Sequence, residues 1–248
     1  MTHQYLSRSE VKAQAKAQLH EPGVFKNMVL ANLIPWLIQV VFYFLMMGLL
    51  IGMYKSMLAI NGSGADAQTA ILHISQSRSA EVQKQSLIQA LISLWFTQGV
   101  AITALDVYRG KLQQFNPLKA VFRLFNSRYF FGVLLLAIVS RLLIQLGSYI
   151  IVPGILLAYG WSQIYFVFYD GRERGPFGVF QALGVSWRLM RGFKLDLFVF
   201  QLSLLGWYIL EGITFNLFNL LIDPYLQVAK AGFYENVRQY QADLQTQQ

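Results

Sequence analysis

The chain has 248 residues, of which 55% are apolar and only 13% charged, against roughly a quarter charged in a soluble domain, so a water-soluble globule is excluded. Its net charge of +8 would point to phosphate-rich nucleic acid in a soluble protein. Here the basic residues lie between long apolar runs, which favours anionic lipid headgroups and no nucleic acid. The absence of cysteine excludes disulfides, thiolate metal sites and cysteine nucleophiles and says nothing about compartment.

In chain order, residues 6 to 20 read as a short helix. Ser7 with Glu10 three residues on forms a capping-box pattern, Pro22 and Gly23 supply the stop, and Val11, Ala15 and Leu19 give a thin apolar stripe. Residues 1–27 are polar, so no cleavable leader is expected, and the first span serves as an uncleaved anchor. From Met28 to Tyr54 there are 27 residues without an Asp, Glu, Lys or Arg. At about 1.5 Å of rise per residue this run exceeds the ~30 Å hydrocarbon core of a bilayer. Gly48 and Gly52 on this span form a close-packing motif that suits pairing inside the fold or homo-oligomerisation. Residues 56 to 84 read as an outer loop, a turn at Asn61 to Gly64 followed by a short surface helix.

Further spans are predicted near 86–105, 129–150, 154–169, 196–212 and 214–234, with a polar tail over 235–248. The third and fourth share an apolar run of about twice the ~20 residues one crossing needs. Pro153 and Gly154 mark the turn between them. Glu211 and Asp223 punctuate the last two, and a single span from Leu197 to Ile222 is the alternative, giving five crossings and a C-terminus on the other side. The expected fold is an all-α polytopic membrane bundle of about six transmembrane helices forming one domain over 1–248. Basic residues accumulate in cytoplasmic loops, which places the N-terminus, Arg109 to Arg128 and Arg172 to Lys194 on the inner, cytoplasmic side of the membrane.

Two of these basic segments resemble each other. Tyr108-Arg109-Gly110-Lys111 and Tyr169-Asp170-Gly171-Arg172 each lead to a proline, Pro117 or Pro176, that opens an amphipathic elbow helix. Leu118, Val121, Phe122 and Phe125 line one face of the first. Phe177, Phe180, Leu183, Trp187 and Met190 mark the second. Aromatic faces flanked by Lys119, Arg123 and Arg128, or by Arg188, Arg191 and Lys194, suit contact with lipid headgroups, or else the elbows simply pack on the bundle. The repetition is compatible with a parallel internal repeat.

No zinc-binding histidine pair, nucleophile elbow or phosphate-cradling glycine loop is present, so no catalytic site and no cofactor is expected. His3, His20 and His73 are isolated surface residues. Charges at membrane depth are the stronger functional candidates. Arg141 lies about 18 Å into the third span and Glu211 roughly 21 Å into the fifth, and matching depths predict a pair, or else both reach the outer interface. Asp223 either binds a cation or proton beside broken helix or caps a helix begun by Pro224. Gln39, Gln98, Gln145, Gln163, Gln201, Asn216 and Asn219 are expected to bond between helices.

From Val152 onward the strings VPGILLAYGWSQIYFVFYD, SWRLMRGFK, LSLLGWYIL and DPYLQVAKAGFYENV resemble the C-terminal half of the domain-of-unknown-function 975 family of bacterial integral membrane proteins. RSEVKAQAKAQL echoes its N-terminal half. Phe193 and Glu211 depart from the family's usual pattern. The resemblance implies a helical membrane protein of about six spans, found widely in Gram-positive bacteria, with no established activity. Taken together, the residues lead to the expectation of a non-catalytic accessory or scaffold protein meeting anionic lipid and a membrane protein partner. The rival is a small transporter or channel using Arg141, Glu211 and Asp223, and a third reading is a membrane module serving a separate lipid-processing enzyme.

Overall fold

The computed structural model describes residues 5–61 and 67–246, with side chains described outside 59–80. Every regular element among them is helical: α1 (Arg8–His20), α2 (Val24–Asn61), α3 (Ala67–Tyr108), α4 (Pro117–Val121), α5 (Phe130–Ser148), α6 (Ile151–Gly160), α7 (Ile164–Arg174), α8 (Val179–Leu189), α9 (Lys194–Leu202), α10 (Leu205–Ile213) and α11 (Asn219–Thr246). Four stretches, Val24–Leu58, Glu81–Tyr108, Phe130–Ser148 and Ile151–Arg174, are long and apolar enough to cross a membrane. The bent pair α9 and α10 makes a fifth if counted as one span. α11 is not among them; it carries Asp223, Lys230, Glu235 and Arg238 along its length.

The chain divides into two compact units. Residues 34–94 form one, made of the long helical stretches of α2 and α3; residues 1–33 and 95–248 form the other. In the smaller unit, α2 continues to Asn61 and α3 already begins at Ala67. The expected outer loop is therefore mostly a continuation of both helices, since Ser56 to Asn61 and Ala67 to Lys84 contain no proline or glycine to stop them. The predicted turn at Asn61 to Gly64 lies largely outside the described residues. Gly48 has open space where a side chain would stand, with no close-packed neighbour among the described residues.

The larger unit is built around α11. α1 starts where its capping box predicts: Ser7 is the N-cap, the Glu10 amide donates to its hydroxyl at 3.3 Å, and the Ser7 amide donates to Glu10 at 2.7 Å. Val11, Ala15 and Leu19 are buried, and the stripe lies against α11. The Asn236 side chain clasps the Leu6 backbone twice, at 2.9 and 3.0 Å. Leu226, Val228, Ala229, Phe233 and Tyr234 of α11 are all buried, and Gln227 donates to Asn32 of α2 at 2.8 Å.

α5 reverses into α6 through Tyr149 and Ile150, so Pro153 occupies the first turn of α6, where its missing N–H leaves no helical bond unmade. A Cβ on Gly154 would come within 2.7 Å of Ser148 backbone; only glycine permits so tight a hairpin. α8 then folds back along α7. Phe177 lies over Gly171, where a Cβ would clash at 2.4 Å, and the Ser186 hydroxyl donates to the Gly160 carbonyl at 2.9 Å.

Two readings are corrected here. α9 and α10 bend by 48° at Ser203 and Leu204, and the chain reverses at Phe215 and Asn216, both with positive φ; a single span from Leu197 to Ile222 is not formed. Because that reversal sets the start of α11 at Asn219, Pro224 falls inside the helix and Asp223 caps nothing. Within the polar tail, the residues after Glu235 continue the helix to Thr246.

Candidate functional site

Three apolar helical segments of the larger unit carry the same dipeptide, a tyrosine followed by an ionised residue: Tyr108-Arg109 at the end of α3, Tyr169-Asp170 in α7 and Tyr234-Glu235 in α11. Helix packing brings the three together. Arg109 grips Asp170 with two parallel bonds, Nη1 to Oδ1 at 2.8 Å and Nη2 to Oδ2 at 2.6 Å. Its Nε and Nη2 both donate to Glu235 Oε2, at 2.9 and 2.7 Å. Arg238, one turn beyond Glu235, donates to its two oxygens at 3.1 and 2.5 Å, and Gln239 donates at 2.6 Å. The Tyr234 hydroxyl donates to Asp170 at 2.8 Å.

Two guanidinium groups thus meet two carboxylates, and the cluster is neutral. The side chains of Arg109 and Glu235 are only 9% and 5% exposed, so water contributes little to holding either charge. Burial by itself would push the Glu235 carboxyl up, but the bonds from Arg238 and the nearby Arg109 charge outweigh it and bring it down to about 2. For Arg109, burial favours the neutral form and is outweighed by Asp170 and Glu235, which hold it protonated. A carboxylate so held cannot take a proton from a substrate near neutral pH. The cluster is built for rigidity: a planar guanidinium satisfied on both edges fixes the angle between the helices that supply its partners.

A cavity of about 640 Å³ opens beside the cluster, lined also by Gln14, Lys111, Arg174 and Asn236. α1 borders it, and the Tyr108 hydroxyl donates to Gln14 at 2.6 Å. A second ionic group adjoins the first. Arg123 binds Asp106 and the Tyr169 hydroxyl, with its guanidinium carbon 5.0 Å from the Tyr169 ring centre. Tyr129 donates to Glu173, and Arg128 donates to the Arg172 carbonyl. Among the described residues no three histidines or carboxylates are grouped so as to hold a metal ion.

The basic residues picked out by sequence divide into two sets. Arg123 is spent on Asp106 and Tyr169, Arg128 is exposed but bonds the Arg172 carbonyl, and Lys194 sits 3.6 Å from the centre of the Trp187 ring. Lys119, Arg188 and Arg191 are exposed. The apolar faces also turn out differently from the expected stripes. The first connecting helix buries Ala120 and Val121, with Leu124 just beyond, and leaves Leu118 60%, Phe122 46% and Phe125 42% exposed. α8 buries Val179, Ala182, Leu183, Ser186 and Leu189 and leaves Phe180 75% exposed. Phe122 and Phe125 nevertheless touch Phe96, at 5.7 and 5.2 Å between ring centres. The two repeat glycines serve different ends: Gly110 ends α3 at φ +69°, whereas Gly171 lies within α7 beneath Phe177.

At membrane depth the expected pair is not formed. Arg141 is exposed on α5 and lies near Tyr165, while Glu211 of α10 has Lys230 of α11 as its charged neighbour. Asp223 lies within electrostatic reach of both Glu211 and Lys230. One carboxylate oxygen of Glu211 is buried without a hydrogen-bond partner. Of the amides, Gln201 does bond between helices, accepting from Tyr159 at 3.2 Å. Gln163 donates only to adjacent Ser162 and Asn219 to nearby Asn216. His20 bonds its own helix at Lys16, and the side chains of His3 and His73 lie outside the described residues.

Residues 149–241 match the model of a family described as a protein of unknown function, DUF975, which supports the resemblance drawn from the sequence. That segment supplies Asp170, Glu235 and Arg238 but not Arg109. No curated protein and no solved structure matches the chain.

Proposed function

We propose that this is a non-catalytic accessory or scaffold protein of the bacterial cytoplasmic membrane, with six crossings and both termini inside. It meets anionic lipid and a protein partner through the segments around α4 and α8. The observation that carries this reading is the exposure of Leu118, Phe122 and Phe180 beside the exposed cations Lys119, Arg188 and Arg191. Apolar side chains of this kind enter the headgroup boundary while neighbouring cations meet phosphates, each worth about 1 kcal/mol near a charged leaflet. The neutral Arg109 cluster supports the same reading, since its charges are committed to one another.

The test is native mass spectrometry of the gently extracted protein. Co-purified anionic lipid should fall when Lys119, Arg188 and Arg191 are changed to Gln. Unchanged lipid would reject the reading.

A second reading has one observation in its favour. Glu211, Asp223 and Lys230 are mutual neighbours at membrane depth, as a cation or proton path requires. Flux of protons or monovalent cations in liposomes, abolished by Glu211→Gln or Asp223→Asn, would establish a transporter instead.

A further inference from the structure

The two faces of α8 that flank Arg188 enclose spaces of opposite character. On one side, a cavity of about 440 Å³ is lined by Arg174, Arg188 and Arg238, with Gln241, Gln245 and Val185 and no acidic side chain. Arg238 is bound to Glu235, but among the described residues Arg174 and Arg188 have neither a carboxylate nor a hydrogen-bond partner. Three guanidinium groups around one space, two of them without a counter-charge, give that space a positive potential that favours an anion. Gln241 is held in place by donating to the Leu189 carbonyl at 2.9 Å, which ties α11 to the end of α8.

On the other side lies an open groove of about 500 Å³ lined by Phe177, Phe180, Gln181 and Gly184. Its floor is Gly184, above which a Cβ would meet nothing within 4 Å. Val185 and Arg188 line both spaces; being three residues apart they share one helix face. The cationic cavity and the apolar groove therefore adjoin along α8, with Val185 and Arg188 as their common border.

We propose that this composite site binds one anionic phospholipid with a neutral polyol headgroup. The phosphate sits on Arg174 and Arg188, the polyol hydroxyls bond Gln241 and Gln245, and the first part of an acyl chain lies over Gly184 between Phe177 and Phe180. A zwitterionic headgroup is disfavoured because its ammonium would enter a space lined by three arginines. Free phosphate satisfies the cations but leaves the groove empty, so the adjacency of the two spaces across Arg188 favours the lipid. This assignment rests on the reading of the α8 segment as a lipid-facing surface and gives it a defined ligand.

The full chain in nanodiscs of phosphatidylcholine with increasing phosphatidylglycerol, followed by native mass spectrometry, tests it. Wild type should retain one phosphatidylglycerol per chain. R174Q/R188Q should lower that occupancy at least tenfold, and G184L, which fills the groove without altering charge, should lower it several-fold. Neither variant removes a buried contact. If R174Q/R188Q keeps its lipid while K119Q/R191Q loses it, the site is wrong although the lipid-facing surface stands; if both keep it, both readings fall. Should G184L bind phosphatidylglycerol as wild type does, and inorganic phosphate compete with it at equal concentration, the site is a simple phosphate site and the lipid assignment is overturned.

Discussion

The two ionic groups of the larger unit obey opposite rules. Around Arg109, each carboxylate is met by a guanidinium at hydrogen-bonding distance, and tyrosine and glutamine supply further bonds. Around Glu211, a carboxylate faces a lysine and a second carboxylate and forms no ion pair among the described residues, and one of its oxygens lacks a partner. The contrast separates charge used to fix helices from charge left uncommitted. Stability should depend on the first group and hardly at all on the second.

The largest effect belongs to Arg109→Ala. It leaves two neighbouring, largely buried carboxylates with Arg238 as their one remaining guanidinium, and removing one side of a buried pair costs about 3–5 kcal/mol; thermal unfolding in detergent should show the midpoint collapse. Acid should act on the same group with a smaller amplitude. Because the Glu235 carboxyl is brought from 4.5 down to about 2, its contribution is complete above pH 4.5 and drains away as pH falls toward 2. Allowing for solvent at the cavity mouth, the loss is on the order of 1–2 kcal/mol. Glu235→Gln should flatten that part of the stability profile, and an unaltered slope would assign the acid response elsewhere.

Ser7→Ala tests how firmly α1 is held, with a loss of about 1 kcal/mol from the missing cap. Hydrogen exchange should place the loosening in α1 rather than in the Arg109 cluster. The smallest effect is expected for Glu211→Gln, within about 0.5 kcal/mol of wild type in the same unfolding assay. A drop comparable to that of Arg109→Ala would erase the distinction between the two groups.

Local signals were legible in the residues. The capping box of α1, its buried stripe, the turn near Pro153 and the apolar stretches all depend on neighbours within a few positions. What escaped depends on distance along the chain: Arg109 lies 61 residues from Asp170 and 126 from Glu235, and no periodicity links them. A trace was present all the same. The comparison of Tyr108-Arg109 with Tyr169-Asp170 extends to Tyr234-Glu235, and opposite charges at equivalent positions mark residues able to converge. The expected Arg141–Glu211 pair failed because depth along two helices fixes one coordinate and not the direction in which side chains point. Of the two readings of Asp223, the cap fails because Asp-Pro marks a helix start only where no earlier reversal exists, and Phe215 and Asn216 provide one.

The clasp between Leu6 and Asn236, 230 residues apart, sets an order of assembly. A ribosome delivers α1, then Arg109, then Asp170, long before Glu235 and Asn236 emerge. Until then the stripe of Val11, Ala15 and Leu19 has no seat, and Arg109 holds only one of its two anions. Maturation of the larger unit therefore waits on the last helix, and nascent chains arrested before residue 235 would expose α1 to proteases that the finished protein resists.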